Sequence, residues 1–353
     1  MGRIKWIDNV RGLAIVAVVV GHSLQQTQNG LLNQYIYAIH IPIFFVLSGY
    51  LYHERSRFRQ EFVHGNETMI IPYFFTSILV ILGSLVAPYS GKILRAPFVN
   101  GKVGIESALY GAGDKGNYLF NSEIRPIGAI WFLLCMFLAL LIFNQLMVIT
   151  KNVYYSGFVR LCFFGTLAFI GIYSAKYYLL PWSINAALLA QLFLYWGYVI
   201  RKFSIDKKIS ILYLILGFIA WSVAANQGFL MVVTAKSPNM FVSFIGVIGA
   251  SIVLIQLGKW ISKLKRTGRL LRYVGQYSII VFCFHLIDLS VINVGGVLAA
   301  HSNQLFGTEI AAIIVILYRL VVPGVAVYLV PKIPLLRSIY LPREFPLVRR
   351  EKH

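Results

Sequence analysis

The sequence predicts an all-α fold, a polytopic membrane helix bundle of about ten transmembrane helices with both termini in the cytoplasm. Three observations carry that expectation. Of 353 residues, 58% are hydrophobic and only 12% charged, a balance unlike that of a soluble domain. The apolar residues form continuous runs of the length a helix needs to cross the hydrocarbon, not the alternating ten-residue segments of a barrel. The cations also sort by side: with the N-terminus inside, 22 of the 32 Lys and Arg fall in cytoplasmic segments, 7 in outer loops and 3 in spans. The net charge of +20 therefore fits topology and anionic membrane lipid rather than nucleic acid.

The first span, 10–25, follows a short basic leader that resembles a signal peptide, but Asp8 and Arg11 interrupt it and the rest of the chain is polytopic. The second, 35–52, contains "IHIPIFFVLSGYLY". A basic connection, 53–68, carries Arg55, Arg57 and Arg59 ahead of the third span at 69–87. The outer connection 88–127 is too long for a simple turn and reads as a lid or re-entrant element. Spans follow at 128–148, 156–173, 181–200, 209–225 and 240–258. Segment 258–276 mixes Trp260, Leu264, Leu270 and Leu271 with six cations and is expected along the cytoplasmic interface. Spans at 277–297 and 310–330 complete a membrane domain over 1–335, and 336–353 is a basic cytoplasmic tail. Cys135, Cys162 and Cys283 lie in spans with no metal-like spacing and read as small core residues, so no metal is expected.

Ionisable residues inside spans are costly and normally face the bundle interior or a water-filled cavity. Arg11 and His22 are eleven residues apart, which returns a helix to nearly the same azimuth about 16 Å further along. One face thus carries a cation low and an imidazole high, with Asp8 one turn below Arg11. Taken singly, Arg11 also reads as a snorkelling anchor and His22 as a histidine satisfied by a neighbouring helix. In the antiparallel second span His40 falls at the level of His22, and Ser48-Gly49 at the level of Arg11; the small pair also suits helix packing. His285 and Asp288, three apart in the ninth span, share a face and either serve the chemistry or satisfy each other.

The motif Arg11-(ten residues)-His22, "WIDNVRG", "IHIPIFFVLSGYLY", "IIPYFF" (70–75), "IWFLLCMF" (130–137) and "YSIIVFCFH" (277–285) occur in that order. Together they resemble the acyltransferase 3 family of membrane O-acyltransferases, and within it the fucose 4-O-acetylase-like branch. The resemblance implies a ten-helix bundle moving an acyl group, usually acetyl from acetyl-CoA in the cytoplasm, to a carbohydrate hydroxyl at the cell surface or on a lipid carrier. It implies a catalytic His22 and an Arg11 in the donor site, in a multi-pass protein of the bacterial plasma membrane. The family's basic element before the proline of the third span is "NETMIIP" here, with Arg55, Arg57 and Arg59 upstream. Many relatives carry a further extracytoplasmic hydrolase-like domain, and here transfer is expected to finish within the bundle.

The chemistry agrees with that expectation. Acyl transfer to an alcohol needs a base, and a near-neutral imidazole suits the work. Acyl-CoA has phosphates at one end and a thioester at the other, matching cations at the rim and a base at depth. His22 is the expected base, with His40 a second base or oxyanion donor. Arg11, Ser48, Arg55, Arg57 and Arg59 are the expected donor-binding residues, and Asp8, His285 and Asp288 are further candidates. The rival reading, a transporter or flippase of a glycan intermediate, uses buried Arg, His and Asp as a proton relay but predicts inverted repeats and broken helices in matching halves, and neither is seen in the sequence.

Overall fold

The computed structural model describes residues 3–24, 30–53, 58–119 and 122–346. Among these, seven stretches are long and apolar enough to cross a membrane: Lys5–Leu24, Leu31–Tyr50, Phe58–Tyr89, Trp131–Ile149, Ser156–Ser174, Met240–Ser262 and Thr308–Lys332. Two bent pairs, Pro181–Leu189 with Gln191–Lys202 (44°) and Thr267–Gln276 with Ser278–Ser290 (73°), raise the number to nine. The shorter apolar helix Ile211–Asn226 occupies the remaining predicted span. Arg55 and Arg57 lie outside the described residues.

The first helix, α1 (Lys5–Leu24), is the axis of the site. The second span comprises α2 (Leu31–Tyr37) and α3 (Pro42–Tyr50), because Pro42 has no N–H to give the Ala38 carbonyl and the ladder breaks over 38–41. The third begins earlier than 69. Helix α4 (Phe58–Gly65) runs through a π turn at Asn66–Ile70 into α5 (Ile71–Val86), and Pro72 leaves the Thr68 carbonyl without its i+4 donor.

The outer connection holds α6 (Gly101–Tyr110) and a hairpin pairing Asn117–Leu119 with Ser122–Ile124. It is tied to the bundle by buried bonds from the Tyr73 hydroxyl to the Ala108 carbonyl (2.7 Å) and from the Ser183 hydroxyl to that of Gly111 (3.0 Å). Then come α7 (Trp131–Ile149), α8 (Ser156–Ser174), α9 (Ile184–Leu189), α10 (Gln191–Lys202), α11 (Ile211–Asn226) and α12 (Met240–Ser262).

Segment 258–276 is not one interfacial stretch. Helix α12 extends to Ser262, and α13 (Thr267–Gln276) lies against α1. The approach is backbone to backbone: a Cβ on Gly12 would sit 2.1 Å from the Leu271 carbonyl oxygen, so only glycine fits.

Span 277–297 is likewise two elements, α14 (Ser278–Ser290) and α15 (Val294–Phe306), followed by α16 (Thr308–Leu329) and α17 (Pro334–Tyr340). The break has a visible cause. The Arg95 N–H donates to the Val291 carbonyl and the Asn293 N–H to that of Ile93, both at 2.7 Å, so the outer connection takes over backbone groups a continuing helix would use.

Cys135 and Cys283 are buried, but Cys162 is exposed on the outward side of α8 and is no core residue. Arg160, the third cation in a span, caps α7: its guanidinium donates to the Met147 carbonyl (3.1 Å) and the Thr150 hydroxyl (2.8 Å).

Candidate active site

Two adjoining cavities lie along one side of α1. The first, of about 220 Å³, is lined by Arg11 and Ser48, by Thr68 and Met69 of the π turn, by Ser278 of α14 and by Arg343 beyond α17. The second, of about 130 Å³, is lined by His22, Tyr37, His40, Trp131 and the segment Phe229–Val233. Val18, Ile41 and Phe282 line both, so the two cavities meet at an apolar neck. Arg11 and His22, eleven residues apart, line these two neighbouring cavities on one side of α1.

At the Arg11 end no carboxylate is among the lining residues described. Asp8, one turn below, pairs with Arg3 (3.1 Å) and accepts from the Gln276 amide (3.3 Å), which ties α13 to the start of α1. The Ser48-Gly49 pair divides its work. Ser48 lines the cavity, whereas Gly49 lets α10 approach so closely that a Cβ there would overlap the Leu194 carbonyl. Arg59 is exposed on α4 and does not line this cavity. Arg343 reaches it from the chain's far end and contacts the His64 Nε2 at 2.6 Å.

At the His22 end three imidazoles gather. The His22 Nδ1 is 3.4 Å from the Tyr37 hydroxyl, and the His22 ring centroid is 5.7 Å from that of His285. His285 is fully buried, and neither of its ring nitrogens has a hydrogen-bond partner among the described residues. His40, in the turn before Pro42, donates through Nδ1 to the Ile36 carbonyl (3.1 Å), which leaves Nε2 as an acceptor. Which of His22 Nδ1 and the Tyr37 hydroxyl donates in that contact is set by the imidazole tautomer.

His285 and Asp288 do not satisfy each other. Asp288 accepts from the Tyr318 hydroxyl (2.7 Å) and pairs with Arg319 (3.7 Å), both on α16. Arg319 is buried and donates to the His22 carbonyl (3.2 Å), so the pair fastens the C-terminal end of α1 to α14 and α16. Sequence reasoning counted Arg319 only as a cation in a span and missed Tyr37, Trp131 and Arg343. The position of Tyr37, three residues before His40 and so one helical turn away, was the one local signal that pointed to it. Among the described residues no group of three or more His, Cys, Asp or Glu could hold a metal ion.

The described helices form a multi-pass membrane bundle with a cationic cavity at one end of α1 and imidazoles at the other. The family comparison agrees: the model described as Acyltransferase domain matches residues 4–328, and the chain belongs to this acyltransferase 3 family. Neither the comparison with curated proteins nor that with solved structures gives a significant match.

Proposed function

We propose that this membrane acyltransferase moves an acetyl group from acetyl-CoA, bound at the Arg11 end, to a carbohydrate hydroxyl presented at the His22 end. The observation that carries the reading is the pair of cavities meeting at Val18, Ile41 and Phe282, because one thioester-bearing arm then touches both ends. Arg11 and Arg343 hold the phosphates with charge-assisted bonds, and Ser48 and Thr68 supply neutral polar contacts beside them. The skew of cations toward the Arg11 end supports a cytoplasmic position for that end, on the side where acetyl-CoA is made available. The likeness of the opening motifs to the fucose 4-O-acetylase-like branch supports a carbohydrate acceptor.

His22 acts as the base. The acceptor oxygen attacks the thioester carbonyl while its proton passes to Nε2 of His22. The tetrahedral intermediate then collapses, the carbon–sulfur bond breaks, and the imidazolium returns the proton to the departing CoA thiolate. His40 and His285 shape the imidazole's surroundings, and the Asp288–Arg319 pair fixes the helix end that carries it.

The test is His22→Ala in purified protein. Acetyl-CoA binding is expected to stay within a few-fold of wild type, while acetyl transfer falls by about 10²–10⁴, the usual contribution of a positioned base. Transfer within about tenfold of wild type would remove His22 from the mechanism.

A further inference from the structure

Beyond the Asp288–Arg319 pair lies a larger cavity, of about 460 Å³, between α15 and α16. Its lining includes Arg95, Gly296, Ala299, Ala300, Asn303 and Thr308, and the volume is that of a ligand site. Arg95 supplies its only charge among the described residues. The guanidinium is held in place: Nε donates to the Asn293 side-chain oxygen (2.5 Å), and a Cβ on Gly296 would lie 2.7 Å from a terminal nitrogen. Gly295 gives Arg319 similar room, with a Cβ there 3.1 Å from its Nε. Asp288 pairs with Arg319 rather than with Arg95, and Arg95 lines the cavity. The 22-residue helix α16 begins at this cavity with Thr308, and its first turn already carries Glu309, so Arg95 and not the helix end is the anion-binding group here. The same two helices expose Val297, Ile310, Ile313 and Leu317, an apolar flank beside a cationic pocket.

Resting on the acyltransferase reading, we infer that this cavity takes the phosphate of a lipid-linked carbohydrate acceptor, with the isoprenoid-like chain along the exposed flank of α15 and α16. The placement is suited to that task. Arg319 joins the cavity's wall to the His22 carbonyl, so a phosphate at Arg95 holds its sugar on the base's side of the neck and leaves the Arg11 cavity to the donor. Arg95 is then an acceptor-binding residue with no part in donor binding.

The experiment measures the affinity of purified protein for farnesyl phosphate, inorganic phosphate and farnesol, with acetyl-CoA binding followed in parallel. Farnesyl phosphate is expected to bind wild type, with affinity falling roughly ten- to hundredfold in Arg95→Ala, the range for hydrogen bonds to a charged group. Ala299→Leu, which fills the cavity and keeps the charge, is expected to weaken it as well. Acetyl-CoA affinity is expected to be unchanged in both variants, which also reports an intact fold. Wild-type affinity in Arg95→Ala overturns the site. Inorganic phosphate binding as tightly as farnesyl phosphate overturns the lipid carrier in favour of a free phosphate, and equal binding of farnesol shows that the charge is not read. Protein that binds farnesyl phosphate through Arg95 but takes up no acetyl-CoA supports the site while overturning the acetyl-CoA donor of the proposed function.

Discussion

The two ends of α1 are built from different materials. The Arg11 end draws on pieces scattered along the chain, with Thr68 and Met69 from the π turn, Ser278 from α14 and Arg343 from beyond α17; its described lining is cationic, hydroxylic or apolar. The His22 end is smaller and aromatic, with His22, Tyr37, His40 and Trp131 around a cavity of about 130 Å³ and His285 packed behind. Cations without lining carboxylates favour holding an anion, whereas a cluster of imidazoles favours moving a proton. In the proposed mechanism binding and chemistry are separated along one helix, and Val18, Ile41 and Phe282 are the described residues that line both cavities.

Blocking the neck breaks the comparison most severely. Val18→Trp adds bulk to a side chain that lines both cavities, so the thioester should be held short of His22. Acetyl transfer is expected to fall by about 10²-fold or more, the scale of a misplacement of an ångström or so, while acetyl-CoA affinity changes by only a few-fold. The conservative Val18→Ala should keep transfer near wild type. Paired assays of binding and transfer decide the matter, and undiminished transfer in Val18→Trp would mean that the two cavities are not one path.

The Arg11 end should show the opposite split. Arg11→Ala is expected to weaken acetyl-CoA binding by about ten- to hundredfold, the range for hydrogen bonds to a charged group, with transfer at saturating donor largely preserved. Arg11→Lys should recover only part of the loss, because an ammonium keeps the charge but not the planar fork that meets two phosphate oxygens. Calorimetric titration of the three proteins with acetyl-CoA gives the answer. Wild-type affinity in Arg11→Ala would reduce Arg11 to a topology anchor.

How much of this was legible in the sequence follows from the range of each signal. The spans were legible because hydrophobic runs are local, and each of the ten has a counterpart among the described helices. The shared azimuth of Arg11 and His22 was legible because helical period is local too. The break at 291–293 was not, because its cause is the backbone of residues 93–95, some two hundred positions away. The bend between α13 and α14 was hidden for a related reason, since α13 is pressed on α1 through Gly12 and Gly275. Arg319 looked like any cation in a span. Its meaning depends on Asp288 and on the His22 carbonyl, contributed by two other helices. Arg343 sat in what read as a basic tail, and only the fold brings it to Arg11.

The smallest effect belongs to Tyr37, and it sharpens the His22 end from within. Its hydroxyl is 3.4 Å from the His22 Nδ1, a long contact, and its ring packs edge-on to that of His40 at 4.6 Å. Tyr37→Phe keeps the ring and removes only the hydroxyl that contacts the His22 Nδ1. The imidazole then loses one restraint on its tautomer, but Arg319 still holds the backbone at His22 and His285 still packs against the ring. The expected cost is that of one net hydrogen bond, about 0.5–1.5 kcal/mol, or roughly two- to tenfold in the rate of transfer. Acetyl-CoA affinity should not move, because the phosphates lie beyond the neck. Saturation kinetics on wild type and Tyr37→Phe separate the two quantities. A loss in the range of about 10²–10³, which removal of an oxyanion donor produces, would instead make the Tyr37 hydroxyl a group that touches the reacting carbonyl.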